Sequence, residues 1–183
     1  TLEEFVARRL LAPLGMTNTD FSVKDVVKSA DHATPHVRRA GRIEPVEWYN
    51  LDKIAPAGSI NSSVRDLTRW MRFHLNEGRF EGKVIVKQAS IHETHTPQML
   101  VRVTRNTINE GPHFAAYGLG WFIQEYRGHH IVFHPGAIDG FRSAVVLLPD
   151  ERYGIAILSN SSDLSGGLMP ELPEVLRSAI LDE

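Results

Sequence analysis

The chain has 183 residues, of which 42% are apolar and 23% charged, and its net charge is −2. That length is enough for one domain with a real core, the charge offers a nucleic-acid partner no electrostatic support, and no apolar run reaches the roughly 18 residues of a membrane span. The absence of Cys excludes a disulfide framework and a thiolate metal site, and leaves the compartment open.

The first residues, Thr1-Leu2-Glu3-Glu4, have the pattern of a capping box. Leu2, Phe5, Val6, Leu10 and Leu14 follow at helical spacing, and Pro13 to Gly15 stop the helix. A chain that opens on a helix cap reads as a piece of something longer, with any leader or anchor upstream. Residues 20–56 mix charge, His and Pro with little periodicity and predict a long surface segment with short extended pieces. A turn cluster, Ala57-Gly58-Ser59-Ile60-Asn61-Ser62, leads to Ser63, the predicted N-cap of a second helix with Asp66 in its first turn. Val64, Leu67, Met71 and Leu75 are its expected buried stripe, and Gly78 its stop. A shorter helix is expected from Lys87 to about His95, before Pro97.

From Ala116 the texture changes to strands, expected at 118–126, 130–133, 142–148 and 154–159, with turns at Arg127-Gly128 and at Pro149-Asp150-Glu151-Arg152. The unbroken apolar runs 144–148 and 155–158 predict strands covered on both faces. A last helix over 170–181, with Leu172, Val175, Leu176, Ala179 and Ile180 on one side, would cover one of those faces. The expectation is an α+β arrangement: an antiparallel β-sheet with packed helices, from a helical, loop-rich part (about 1–112) followed by the sheet and a final helix (about 113–183). No internal repeat or low-complexity tract is present.

The candidate chemistry centres on His134-Pro135-Gly136-Ala137. His134 follows an apolar strand, and Gly136 lets a ligand approach the backbone closely. The N–H of Ala137 would then point into open space, as one donor of an oxyanion hole worth about 3–4 kcal/mol per donor. The plainer reading is that His134 ends a strand before a Pro-Gly turn. For Gly140 and Phe141 the two readings are a site rim and a tight connection that sends Phe141 into the core. Asp139 stands between them.

Two stretches, Leu11-Ala12-Pro13-Leu14-Gly15-Met16-Thr17-Asn18-Thr19 and Tyr117-Gly118-Leu119-Gly120-Trp121 with His134-Pro135-Gly136 and Gly140-Phe141, resemble the serine β-lactamase and penicillin-binding-protein-like family, on its class C and esterase side. The resemblance covers most of the chain but only the second half of such a protein, the C-terminal part of a β-lactamase/transpeptidase-like fold. It implies that His134 orients substrate or assists proton transfer, that the Ala137 N–H is an oxyanion donor, and that Gly136, Asp139 and Gly140 line the substrate. The segment from Ala57 to Leu67 also matches a family stretch, one that is mainly structural there. Penicillin-recognising members carry Lys where this chain has His134. Lys is a fixed cation suited to a substrate carboxylate, and His is near neutral at pH about 7. The departure favours esters, peptides or amides over β-lactam antibiotics.

The family's nucleophile motif, Ser-x-x-Lys, is missing. Three residues after Ser22, Ser63 and Ser90 stand Asp25, Asp66 and Glu93. Ser59, Ser62 and Ser63 read as turn and cap residues. Tyr49-Asn50 lacks the spacer of the family's Tyr-x-Asn motif and lies on the wrong side of Pro13-Leu14-Gly15-Met16. The resemblance therefore implies a parent hydrolase that acylates a Ser upstream of Thr1, helped by a Lys and a Tyr, with a small-molecule or peptide substrate. A non-catalytic binding or regulatory module of the same fold, or an inactive structural fragment, are the competing expectations. No cofactor is implied. His92-Glu93-Thr94-His95 is one residue short of H-E-x-x-H, and His32 with His36 has no third ligand nearby, so no metal is expected. Self-association of the chain is expected, because strands and helices of the missing half would leave an apolar face and a sheet edge open. A periplasmic or cell-envelope location follows from the resemblance alone.

Overall fold

The computed structural model describes residues 1–102, 114–126 and 128–162. Thr1 caps α1 (Leu2–Val6) with both halves of a capping box, its side chain on the Glu4 amide and the Glu4 carboxylate on its own backbone. The helical run continues through a π-helical turn (Ala7–Leu11) into α2 (Ala12–Leu14), which Gly15 ends with a φ of 68°. That left-handed cap is cheap for Gly alone. Leu11, Leu14 and Met16 from this run join Phe73, Phe80 and Ile91 in one core cluster.

The surface segment carries α3 (Val23–Val26) and a small hairpin of β1 (His36–Arg39) and β2 (Arg42–Pro45), turned at Ala40-Gly41. A 3₁₀ turn (Asp52–Ile54) leads into α4 (Ala55–Gly58), so the expected turn cluster begins inside a short helix. Ser63 caps α5 (Val64–Leu75) by accepting from the Asp66 amide. Asp66 does more than favour the helix N-terminus. Fully buried, it accepts from the Asn18 amide at 2.7 Å, the Thr19 hydroxyl at 2.9 Å and the Arg69 guanidinium at 2.9 Å. A buried carboxylate needs such partners, and these fasten the chain after α2 to α5.

The stripe of α5 differs from the expected one. Met71 is buried as expected, but Val64 is exposed, and Phe73 and His74 are buried as well. The physical reason is that α5 lies between two cores. Phe73 enters the cluster with the first helices, and Met71 joins Trp121, Val132 and Leu147 against the sheet. A short pair, β3 (Arg79–Phe80) and β4 (Lys83–Val84), then leads to α6 (Gln88–Thr94).

The main sheet is antiparallel, in the order β10-β9-β8-β7-β6-β5. Its strands are β5 (Met99–Leu100), β6 (Ala115–Tyr117), β7 (Phe122–Tyr126), β8 (His129–Ile138), β9 (Phe141–Leu148) and β10 (Tyr153–Ser159). One face packs on α5, where Gly154 leaves room for Met71: a Cβ there would come within 3.0 Å of its sulfur. The other face gathers Ile131, Phe133, Val146 and Leu148 with Phe122, Tyr126 and Ile155. Two strand boundaries depart from expectation. Residues 118–121 turn between β6 and β7, and β8 runs straight through His134-Pro135-Gly136 to Ile138. The helix expected over 170–181 lies outside the described residues. No described helix is long and apolar enough to cross a membrane.

Candidate functional site

The register of β8 against β9 decides what the His134 segment presents. His134 lies opposite Val145, Pro135 opposite Ala144, Gly136 opposite Ser143 and Ala137 opposite Arg142. In an antiparallel ladder, opposed residues alternate between pairs that exchange both backbone bonds and pairs whose N–H and C=O point away. Pro135 has no N–H, so it belongs at a pair of the second kind. Two residues on, Ala137 has the same parity, and its N–H points to the outer edge of β8. β7 does not cover that edge, because its first residue, Phe122, pairs with Phe133. His134 and Ala137 are both exposed along this edge, which no strand among the described residues covers. Proline in the strand is thus the residue that keeps the ladder intact while leaving the edge free.

The remaining candidates are held by packing. A Cβ on Gly136 would sit 2.2 Å from the Ser143 hydroxyl, which occupies the space a side chain would need. The strand then turns at Asp139-Gly140. Gly140 has a φ of 82°, and a Cβ there would lie 2.3 Å from Pro35. The His36 amide donates to the Gly140 carbonyl at 3.3 Å and to that of Asn160 at 3.0 Å, while Arg142 donates to the Ile138 and Phe141 carbonyls at 2.9 and 2.8 Å. Gly140 is therefore buried beneath the chain at Pro35, and Asp139 is exposed at the tip. Phe141 is half-buried and meets the Trp48 ring at 4.6 Å rather than entering a core cluster.

His134 has partners that its sequence neighbourhood does not announce. Its Nε2 lies 3.1 Å from the Tyr117 hydroxyl, and its Nδ1 2.7 Å from the Pro135 carbonyl oxygen. Tyr117 ends β6, and the next residue explains its placement. Gly118 approaches the end of α6 so closely that a Cβ would be 2.4 Å from the Thr94 carbonyl oxygen, and the Leu119 amide donates to that oxygen at 3.1 Å. Trp121 closes the turn by burying itself against Met71, Val132 and Leu147. The Tyr-Gly-Leu-Gly-Trp stretch is thus a clamp, with Trp121 inward and Tyr117 at the edge beside His134.

A separate cavity of about 800 Å³ lies toward the opposite end of β8, lined by His74, Glu77, His92, His95 and His130 among others. Burial, and secondarily the charge of His95, pushes His74 down to about 3; burial first, then His130 and His92, pushes His95 down to about 4. Both imidazoles stay uncharged near neutrality, so this end of the sheet is an aromatic packing site. Among the described residues no group of three His, Asp or Glu side chains could hold a metal ion.

An antiparallel sheet with α5 packed on one face is the arrangement of a β-lactamase/penicillin-binding-protein-like fold. The Beta-lactamase family description matches residues 1–172, and the chain belongs to that family, of whose fold it holds the C-terminal part. Protein flp of Staphylococcus aureus (strain NCTC 8325 / PS 47) is 29% identical over 179 residues, which are 98% of this chain and 32% of that protein. Unguisins hydrolase ungD of Aspergillus violaceofuscus (strain CBS 115571) is 28% identical over 173 residues, 88% of this chain and 30% of that one. Among solved structures, the octameric penicillin-binding protein homologue from Pyrococcus abyssi superposes with a TM-score of 0.78 at 21% identity, over 98% of this chain and 38% of that chain. The chain spans about a third of the length of the curated relatives it matches.

Proposed function

We propose that this chain is the sheet-bearing part of a β-lactamase-related serine hydrolase that cleaves an ester, amide or peptide bond through an acyl-enzyme. The observation that carries the proposal is the bare edge of β8, where Ala137 directs its N–H outward next to an exposed His134. A strand edge of this kind stabilises a developing oxyanion through a fixed backbone donor that needs no reorganisation. Gly136 keeps the edge low and Asp139 forms its exposed rim, while Gly140, buried under Pro35, holds the turn behind it. His134 orients the substrate or assists proton transfer. The nucleophilic Ser and its Lys and Tyr lie in sequence outside these 183 residues, because none of the Ser residues here has Lys three residues later. The hydrolase named among the relatives supports the reaction class. Self-association belongs to the same reading: the edge strand β5 leaves Met99 and Leu100 71% and 75% exposed, and open edges template pairing with a second chain.

Ester turnover tests this reading. The full-length protein is expected to hydrolyse p-nitrophenyl esters, and the 183-residue chain alone to leave them at the background rate. Turnover by the isolated chain, or none by the full-length protein, contradicts it. The missing nucleophile also motivates a second reading, a non-catalytic binding module, which a full-length protein that binds but never turns over such esters would favour.

A further inference from the structure

The hydrogen-bond directions around His134 can be assigned from the chemistry of its partners. The Pro135 carbonyl oxygen, 2.7 Å from Nδ1, can only accept, so Nδ1 carries the hydrogen. In the uncharged ring Nε2 then carries the lone pair, and across the 3.1 Å to Tyr117 only the phenol O–H can donate. Every donor of the pair is used internally: the imidazole N–H on the strand's own carbonyl, the phenol O–H on the imidazole. What remains to face a substrate is the lone pairs of the Tyr117 oxygen. The phenol is held in place, since its ring meets Phe122 edge-on at 4.7 Å, Phe122 stacks on Phe133 at 5.3 Å, and Gly118 is pressed against the end of α6.

We infer that Tyr117 is a positioning and specificity-determining residue of this edge: with the Pro135 carbonyl on Nδ1 it holds His134 in the Nδ1–H tautomer by donating to Nε2, and it makes the pair an acceptor, suited to uncharged acyl substrates that bring their own N–H or O–H and unsuited to substrates with a carboxylate beside the scissile bond. An ammonium at the His134 position would do the opposite, because it donates a charge-assisted bond to a carboxylate. The substrate preference rests on the hydrolase reading above; the tautomer does not.

Two measurements on the full-length protein separate the two. Nitrogen-15 NMR of the His134 ring at pH about 8, well above the usual imidazole titration, is expected to find Nδ1 protonated and Nε2 bare. Tyr117→Phe removes the donor to Nε2 and keeps the Nδ1–H bond to the Pro135 carbonyl, so it is expected to raise the Nε2–H tautomer to a detectable minor population while leaving the backbone amide spectrum away from the edge unchanged. Nε2 protonated in the wild type overturns the assignment. For turnover, the ratio of kcat/KM for a neutral ester to that for the same ester bearing a carboxylate is expected to fall roughly tenfold in Tyr117→Phe, mainly through KM for the charged ester, because Nε2, no longer accepting from the phenol, can then take up a proton and donate to the carboxylate. His134→Lys is expected to lower the ratio further. An unchanged ratio in both variants overturns the specificity role. A wild-type protein with the expected tautomer and no turnover of either ester supports the Tyr117 lock and sinks the hydrolase reading alone.

Discussion

Lowering the pH from about 7 to about 4 is expected to remove on the order of 3 kcal/mol of stability through His74. The cause is the box it occupies. His74 is 5% exposed, its Nδ1 is 3.2 Å from His95 Nε2, and Nε2 finds no partner. The rings of Trp70, Phe73 and Trp121 stand 4.6, 5.0 and 5.0 Å from its own, and His95 stacks on it at 5.2 Å. A charge in that box loses its water and meets no carboxylate among the described residues, so burial drives the folded pKa of His74 down to about 3 and that of His95 to about 4. In the unfolded chain both protonate near about 6.5. Below that value the unfolded state binds more protons than the folded one, so stability rises with pH across the window from about 3 to about 6.5 and is whole above it. His95 is more open to water and adds less. Urea midpoints measured against pH check this, with His74→Phe as the comparison, since Phe keeps the ring packing and removes the titration. The wild type is expected to lose its midpoint steeply over that window and the variant to lose clearly less. Parallel curves for the two proteins would assign the acid loss elsewhere.

The second large effect is catalytic and belongs to the full-length protein. Ala137→Pro is expected to lower kcat by roughly a hundred- to a thousandfold, the cost of removing one oxyanion donor. The substitution is informative because of the ladder parity. The Ala137 N–H points away from β9, as the missing one of Pro135 does, so the ladder loses no bond. His134→Ala is expected to lower kcat/KM by about ten- to a thousandfold with folding intact, less than a primary base because its role is orientation or assistance. Circular dichroism and urea midpoints confirm the fold of each variant before turnover is compared. Wild-type turnover in both would remove the His134–Ala137 edge from the site.

Much of this arrangement was legible from local signals. The Thr1–Glu4 capping box and the Ser63 cap lie where the residue types put them, because caps depend on a few adjacent groups. The class of fold followed from the change of periodicity near Ala116. What escaped the sequence was set by partners far along the chain. Pro135 reads locally as a strand end. It stays inside β8 because its missing N–H falls on the outward parity, which only the register with β9 reveals. His74 lies outside the expected stripe of α5, and is buried because the helix has cores on two sides. Gly140 reads as a site rim or as a tight connection, and only the fold shows that Pro35 lies over it. Tyr117 was visible only as part of a motif. Its bond to His134 joins residues 17 positions apart, and strand pairing through β7 was the one signal that could have brought them together.

The location of a covalent adduct tests the central claim most directly. A fluorophosphonate probe applied to the full-length protein, followed by digestion and mass spectrometry, is expected to label one Ser in sequence outside these 183 residues, and to leave the isolated chain at its unmodified mass. A stoichiometric adduct on any Ser from Ser22 to Ser178 would contradict the account.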